Sequence, residues 1–199
     1  MSETGIGASV RRKEDRRFLT GNGNYLDDMN AEGQTYAYFV RSPHAHATIN
    51  SIDTSAAEAS DGVVAVLTGQ QLADDGIGGL ICGWVIHSKD GEPHKAPAHP
   101  ALAVDKVRYV GDHVALVVAE TASQARDAGE KVNVDYGVLP AAAVTATAAE
   151  ASSPQVHDDA PGNICYDWEI GDKAATDEAF ADAHHITKLE LLNNRLVPN

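Results

Sequence analysis

The sequence predicts an α+β or mixed α/β fold, in which a mixed sheet carries two or more packed helices and extended arms leave both ends. Two strand–helix–strand passages of similar size within the first 140 residues predict the sheet and its helices. A content of 43% hydrophobic and 22% charged residues is typical of a globular chain. A chain of 199 residues can bury about 70% of the surface of its unfolded form, enough for a hydrophobic core.

The first passage holds two strands, a helix and a third strand. Thr35–Arg41 is rich in aromatic and β-favouring residues and predicts a strand. Ala47–Asp53 alternates less regularly and predicts a weaker strand. Ser55–Glu58 has the Ser-x-x-Glu form of a capping box, so we expect a short helix there that Gly62 ends. Val63–Leu67 is wholly apolar and predicts a buried strand.

The second passage repeats this order with a longer helix. The expected elements are a strand at Val107–Val110, a turn at Gly111-Asp112, a strand at His113–Ala119, a helix from the capping box Thr121–Gln124 through Lys131, and a strand at Val132–Tyr136. The run from Val114 to Val118 is continuously apolar, as expected of a central strand covered on both faces. Ala125, Ala128 and Val132 predict the packing face of the helix.

The remaining chain predicts less regular structure. Residues 69–101 are rich in glycine and proline and predict a long irregular excursion, which inside a domain is usually functional or covered by a partner. A linker follows Pro140, and Asp172 is expected to cap a helix through Ala183. Ile186–Leu192 predicts a strand with no following partner.

The charge is strongly negative and unevenly spread. Fifteen basic and 29 acidic residues give a net charge of −14, which argues against nucleic-acid binding. Arg11–Arg17 nevertheless contains five basic residues, whereas residues 151–185 contain eight acidic residues and only Lys173 as a base. We interpret these two ends as docking surfaces, and the alternative is a solvated arm and a solvated loop.

Metal and redox chemistry find little support in the sequence. Cys82 and Cys165 are the only cysteines, no Cys-x-x-Cys is present, and we expect both to be buried free thiols. His44 and His46 would share one face of a strand, and the adjacent pair His184-His185 would point to opposite faces. None of these histidines has a carboxylate or cysteine at a ligand spacing, so packing or surface roles are expected.

Enzymatic motifs are equally absent, so the sequence predicts no catalytic, cofactor-binding or metal-binding residue in this chain. It contains no Gly-x-Ser-x-Gly and no Gly-x-Gly-x-x-Gly. Phe18–Tyr25 contains a Gly-x-Gly that is better explained by a turn in an extended stretch than by a phosphate loop. The acidic pairs Asp27-Asp28, Asp74-Asp75 and Asp158-Asp159 lie in polar, turn-like contexts and are expected to be solvated. No secretory signal or transmembrane stretch is visible, and we expect a cytoplasmic protein.

Several sequence blocks together resemble the molybdenum hydroxylases, the family of xanthine dehydrogenase, aldehyde oxidase and the large subunit of carbon monoxide dehydrogenase-type enzymes. In chain order the blocks are Val10–Asp28, Val40–Ala47, Val63–Gly69, the group Cys82–Trp84, Lys89–Gly91 and His99–Ala103, then Lys106–Thr121, His157–Asn163 and Asn194–Asn199. Lys106–Thr121 is the longest and most specific block. The group beginning at Cys82 is similar to the carbon monoxide dehydrogenase branch in particular.

The resemblance implies an organisation and a set of partners. Residues 1–20 would form an N-terminal arm, residues 21–139 an α/β-hammerhead domain, and residues 140–199 a linker, short helix and strand leading toward molybdopterin-binding domains that this chain lacks. The parent complex would use a molybdenum–molybdopterin cytosine dinucleotide, two [2Fe–2S] clusters on a small subunit and FAD on a medium subunit. The family's catalytic motifs lie in the absent domains, so the 199-residue chain is expected to be inactive.

Three hypotheses therefore remain. The first is an N-terminal fragment of such a large subunit, with a structural and subunit-docking role. The second is a stand-alone binding or scaffold module that keeps the hammerhead fold without the chemistry. The third, a small independent hydrolase, is disfavoured because the nucleophile motif is missing.

Overall fold

The computed structural model describes residues 5–191 and divides into two compact units. The first unit comprises the chain up to Leu80 together with His99–Ala143, and the second comprises Ile81–Ala98 together with the chain from Val144 onward. The helices are α1 (Asp15–Leu19), α2 (Ser55–Glu58), α3 (Gly69–Asp74), α4 (Ala122–Gly129) and α5 (Lys173–Ala181), and the strands are β1 (Tyr36–Arg41), β2 (Ala47–Asp53), β3 (Val63–Thr68), β4 (Lys106–Val107), β5 (His113–Ala119) and β6 (Asn133–Val138). Within residues 5–191, no helix has the length and apolar character needed to cross a membrane.

The first unit contains two three-stranded antiparallel sheets, with strand orders β1-β5-β3 and β4-β2-β6. The α+β class is confirmed, but the expected mixed sheet is replaced by these two sheets. For the first passage, the physical reason is that the nine residues between β2 and β3 are too few for a parallel crossover, which needs about a dozen or more. The chain instead moves to the other sheet.

The apolar run in β5 forms the centre of the first sheet, as predicted. Val114 and Val117 are completely buried, and they belong to two different core clusters. Val117 packs with Ala57, Val66 and Ala128 beneath the first sheet. Val114 packs with residues of the second sheet, so β5 links both halves of the core. β3, expected to be buried, lies at the sheet edge with Val64 exposed.

Helix α4 confirms the predicted cap at Thr121. The backbone N–H of Gln124 donates to Thr121 Oγ1 at 3.2 Å, which satisfies one of the free donors of the first turn. The buried face consists of Ala125, Ala128 and Gly129. The helix ends at Gly129 instead of Lys131, and a Cβ at Gly129 would lie 2.4 Å from the ring of Tyr38.

The capping box expected at Ser55 is wrong. Ser55 lies inside the first turn of α2, and its hydroxyl donates to Asp53 Oδ1 at 2.7 Å instead of capping the helix. The strand expected at Val107–Val110 is also shorter, because the Arg108 N–H donates to Asp112 Oδ2 at 3.0 Å and starts the turn there.

Helix α3 occupies the start of the stretch that was expected to be irregular. The Thr68 N–H donates to Gln71 Oε1 at 2.8 Å, and Thr68 Oγ1 accepts from the Gln71 N–H at 3.4 Å, which forms a capping box. After α3 the chain passes into the second unit at Leu80 and returns to the first unit at His99. These two residues are joined by a hydrogen bond, in which the Leu80 N–H donates to the His99 carbonyl at 2.7 Å. Eighteen residues, Ile81–Ala98, lie between these two ends.

The ends of the described chain depart from expectation in two places. The arm contains helix α1 where Phe18 was expected to begin an extended stretch. Asp172 caps α5 by accepting from the Ala175 N–H at 3.0 Å, as predicted, but residues 186–191 form no strand. A strand needs a neighbouring strand to accept its backbone, and residues 5–191 supply none there. Leu192 and the block Asn194–Asn199 lie outside the described residues.

Candidate functional site

Two sequence blocks of the resemblance meet in the first unit. The turn after β1 and the turn before β5 bind each other through their backbones: the Ser42 N–H donates to the Asp112 carbonyl, and the Gly111 N–H donates to the Ser42 carbonyl, both at 2.8 Å. Ser42 and Asp112 are buried. These two turns, Arg41–His46 and Arg108–His113, are called the turn pair below.

Aromatic rings and neutralised titratable groups surround the turn pair. The His113 ring stacks on Phe39 with centroids 4.4 Å apart. Burial lowers the pKa of His113 below its usual value, and the charge of Arg41 lowers it further. Burial also raises the pKa of the Tyr109 phenol, and Asp112 raises it further. Both shifts favour the uncharged forms of the two side chains.

The two histidines of the turn after β1 have different surroundings. The His44 ring meets the edge of Tyr136 at 5.0 Å. His46 is buried, and its Nδ1 lies 2.8 Å from the Pro140 carbonyl, which can only accept, so Nδ1 carries the hydrogen. His46 Nε2 is buried without a partner. In the described part of the chain, no three or more His, Cys, Asp or Glu side chains are grouped to hold a metal ion. The packing roles of these histidines stay a prediction.

The two cysteines are free, as expected, but both are exposed, so the expected burial is wrong. Cys82 Sγ lies 3.5 Å from His94 Nε2. The Ile86 N–H donates to His94 Nδ1 at 3.0 Å, which places the imidazole hydrogen of a neutral His94 on Nε2, facing the sulfur. Sequence reasoning missed this pair because an irregular segment separates the two residues and no periodicity links them.

The other candidate residues from the sequence are exposed or make short-range hydrogen bonds, and they do not come together in one site. The Tyr25 N–H donates to Asp28 Oδ2 at 2.9 Å, and Gln70 donates to Asp74 Oδ1 at 2.7 Å. His185 Nε2 lies 3.2 Å from Thr187 Oγ1. The remaining members of these pairs, Asp27, Asp75, Asp158, Asp159 and His184, are exposed. Gly21 has a φ of 74°, which agrees with a turn in the Gly-x-Gly stretch.

The arm presents a basic and partly apolar surface. Four basic residues, Arg11, Arg12, Lys13 and Arg16, line an open depression of about 650 Å³ together with Asp15, Leu19 and Thr20. Leu19 is exposed despite its apolar side chain. Arg12 Nε is paired with Asp15 at 2.8 Å, so the arm has internal order as well as charge.

The second unit exposes large apolar side chains in three segments. The first segment contains Ile81, Trp84 and Val85, and the second contains Tyr166, Trp168 and Ile170. The third is α5 with the residues that follow it, where Phe180 and Ile186 line a depression of about 530 Å³. Contiguous exposed apolar residues mark interaction surfaces on soluble proteins. These surfaces are stronger candidates for function than any side-chain cluster in residues 5–191.

Comparison with known proteins gives a consistent result. Residues 20–140 match the family model described as "Aldehyde oxidase and xanthine dehydrogenase, a/b hammerhead domain". The chain is 38% identical to the carbon monoxide dehydrogenase large chain of Afipia carboxidovorans, over 98% of this chain and 24% of the relative. It is 39% identical to the nicotine 6-hydroxylase large subunit of Paenarthrobacter nicotinovorans, over 91% of this chain and 21% of the relative.

Solved structures agree with the sequence relatives. The crystal structure of the Cu,Mo-CO dehydrogenase in its carbon monoxide reduced state matches with a TM-score of 0.70 and 38% identity, covering 91% of this chain and 23% of that chain. The quinoline 2-oxidoreductase of Pseudomonas putida 86 matches with a TM-score of 0.60 and 38% identity, covering 74% of this chain and 18% of that chain. The chain therefore spans about a quarter or less of the length of these relatives.

Proposed function

Because the chain belongs to the aldehyde oxidase and xanthine dehydrogenase family through its a/b hammerhead domain, we propose that it is an N-terminal portion of a large, molybdopterin-binding subunit of the carbon monoxide dehydrogenase type. One observation carries this proposal: the match covers 98% of this chain but 24% of the relative. The parent complex would be a molybdenum-dependent oxidoreductase, and the substrate would be decided outside this chain.

The role proposed for this portion is structural and subunit-docking. The arm Arg11–Arg17 and the excursion from Gly69 to Ala101 would pack against the remainder of the large subunit or the small iron–sulfur subunit. The basic depression on the arm and the exposed Ile81 and Trp84 support this role. Apolar side chains of this size gain free energy when a partner removes them from water, about 25 cal/mol per Å² of buried apolar surface.

The division into residues 1–20, 21–139 and 140–199 forms part of the same proposal. The family model, which matches residues 20–140, supports the middle segment as the hammerhead domain. A cytoplasmic location is proposed as well, since two exposed free thiols suit a reducing compartment.

The cofactors would be held by other domains or subunits. An all-cysteine [2Fe–2S] cluster needs four thiolate ligands, whereas this sequence contains two cysteines, and residues 5–191 hold no group of three or more His, Cys, Asp or Glu side chains that could bind a metal ion. The residues of this chain therefore do not fit an iron–sulfur cluster of their own, and we assign no reaction step to them. We expect the 199-residue chain alone to be inactive, with the catalytic groups supplied by the regions that it lacks.

Isolation of the native complex through a tag on this chain tests the proposal. We expect molybdenum, iron, flavin and cytosine nucleotide to co-purify with a small and a medium subunit. The gene is sequenced in parallel. A stop codon directly after Asn199, no companion gene for the molybdopterin domains and an unrelated stoichiometric partner would together refute the proposal in favour of a stand-alone scaffold module.

A charge-reversal pair tests the docking role of the arm. The double variant Arg11→Glu/Arg16→Glu should weaken subunit association and reduce its salt dependence, because it reverses the charge of the basic depression. The control Arg126→Glu/Lys131→Glu changes the net charge equally on another surface of the first unit. Equal effects of both variants on pull-down of the iron–sulfur subunit would contradict a specific role for the arm.

A further inference from the structure

The turn that follows α1 contains the only Asn-Gly pair of the sequence, Asn22-Gly23. The side-chain amide carbon of an asparagine can be attacked by the backbone nitrogen of the next residue, which closes a five-membered ring. A following glycine permits this approach most readily, because it has no Cβ to crowd the side chain. Asparagine is accordingly among the thermolabile residues of proteins. The pair therefore marks a place where the chain can modify itself.

The structure leaves the reacting groups of this pair accessible. Asn22 is exposed and lies outside any helix or strand, and Gly23 is half-buried. The Gly23 N–H makes no hydrogen bond within residues 5–191. No backbone hydrogen bond of this turn therefore has to break before the Gly23 nitrogen attacks Asn22 Cγ.

Other asparagines of the described chain are held more firmly. Asn24 is also exposed, but the N–H of Tyr25, which would attack it, donates to Asp28 Oδ2 at 2.9 Å. Asn50 lies within β2, where the strand fixes its backbone. Asn163 Nδ2 donates to two backbone carbonyls, at 2.8 and 2.9 Å. Sequence and structure thus single out the same residue, Asn22.

We propose that Asn22 is a deamidation site, at which the chain loses ammonia and forms a succinimide that water opens to aspartate or isoaspartate. The Gly23 nitrogen bonds to Asn22 Cγ, the bond from Cγ to Nδ2 breaks, and Nδ2 leaves as ammonia with the proton of the Gly23 nitrogen. Water then adds to one of the two ring carbonyls and breaks its bond to that nitrogen, so nothing is oxidised or reduced. The inference goes beyond the proposed function and does not rest on it.

The reaction would change the hydrogen bonds at the end of α1. The Asn22 N–H donates to the Arg17 carbonyl at 2.9 Å. Asn22 Nδ2 donates to Thr20 Oγ1 at 3.0 Å and to the Thr20 carbonyl at 3.4 Å. A carboxylate in place of the amide cannot donate, and its negative charge is unfavourable at the C-terminal end of a helix. Deamidation of Asn22 should therefore loosen α1 and with it the basic arm.

Mass spectrometry of the aged 199-residue chain tests the reaction. The chain is kept at physiological temperature and mildly alkaline pH, and its peptides are analysed for loss of each amide and for isoaspartate. Asn22 should convert about tenfold or more faster than Asn50, which reacts only when β2 opens locally. Asn24, exposed and two residues away, is the matched control in the same unaltered chain, so this comparison does not depend on the folding of a variant.

Three results would overturn the proposal. The first is an equal rate of conversion at Asn22 and Asn24. The second is aspartate without isoaspartate at residue 22, because direct attack of water on the side chain gives aspartate alone. The third is an unchanged rate in Gly23→Ala, whose added methyl group should hinder closure of the ring.

Limited digestion with trypsin tests the consequence for α1. Cleavage after Arg17, inside the helix, should be about two- to fivefold faster in Asn22→Asp than in the parent chain, since charge at a helix end changes the population of the opened form by about this factor. The control Asn24→Asp adds the same charge two residues further along the chain. Equal cleavage rates in the two variants would reject the proposed effect of deamidation on α1.

Discussion

Substitution of Gly129 by alanine should destabilise the first unit, although alanine is the better helix former. Gly129 is the last residue of α4 and is buried. An added Cβ would lie 2.4 Å from Cδ1 and 2.7 Å from Cε1 of Tyr38. Carbon atoms in contact prefer about 3.5–4.0 Å, so the tyrosine ring or the helix must move by about 1 Å.

The magnitude follows from two opposing terms. Overpacking of this kind costs about 1–3 kcal/mol. Alanine recovers at most about 1 kcal/mol of helix propensity, and less at the last helical residue. We therefore expect the free energy of unfolding to fall by about 1–2 kcal/mol, which lowers Tm by about 2–8 °C in a chain of this size.

Far-UV circular dichroism in urea and on heating measures this loss. Both tryptophans, Trp84 and Trp168, lie in the second unit, so their emission serves as an internal reference that should shift less. Gly78→Ala is the control in the first unit, because a Cβ there meets open space. Combining Gly129→Ala with Tyr38→Leu should cost less than the sum of the single changes. A Gly129→Ala chain as stable as the parent would refute the steric reasoning.

Three further outcomes are expected. Thr121→Ala should lower the free energy of unfolding, measured by urea titration, by about 1 kcal/mol. Thr121→Ser keeps the acceptor for the Gln124 N–H and should cost less. Equal losses for the two variants would argue against capping by Thr121. The pKa of His113 is lowered from 6.5 in the folded chain, so the unfolded chain binds more protons, and stability should be full above pH 6.5 and fall as the pH drops below it. His113→Gln should reduce this fall in the free energy of unfolding at low pH, measured by urea titration at each pH. An unchanged pH dependence would show that another group causes it. Cys82 and Cys165 should both react with iodoacetamide in the native chain, counted by mass spectrometry, and protection of either without denaturant would contradict their exposure.

The centre of the fold can be predicted from the sequence because its local signals, such as helix caps, agree with the burial that the folded chain needs there. The apolar run of β5 can be satisfied only by a strand covered on both faces, and Thr121 offers the cap that its helix needs. The sheet arrangement was not readable, because strand alternation identifies strands without identifying their neighbours. Which sheet a strand joins depends on contacts between residues far apart in sequence, such as Ala47 with Val107.

The misses have equally local causes. Thr68-Gly-Gln-Gln71 has the same Thr-x-x-Gln form as Thr121–Gln124, so the sequence contains a signal for α3, although the glycine and proline content of residues 69–101 predicts irregular structure. At Ser55 the same kind of signal misleads, because Asp53 competes for the serine hydroxyl. The candidate surfaces could not be identified from the sequence, since exposure is a property of the folded chain.

The hydrogen bond between Leu80 and His99 allows the length of the segment between them, Ile81–Ala98, to vary without changing the first unit. Its two ends are held together at 2.7 Å, so residues could be added or removed between them with little effect on the strands on either side. Loop closure costs only about 0.6 kcal/mol for each doubling of length. The site is therefore a natural insertion point, at which the segment bearing Trp84 could be exchanged while the strands of the first unit stay intact.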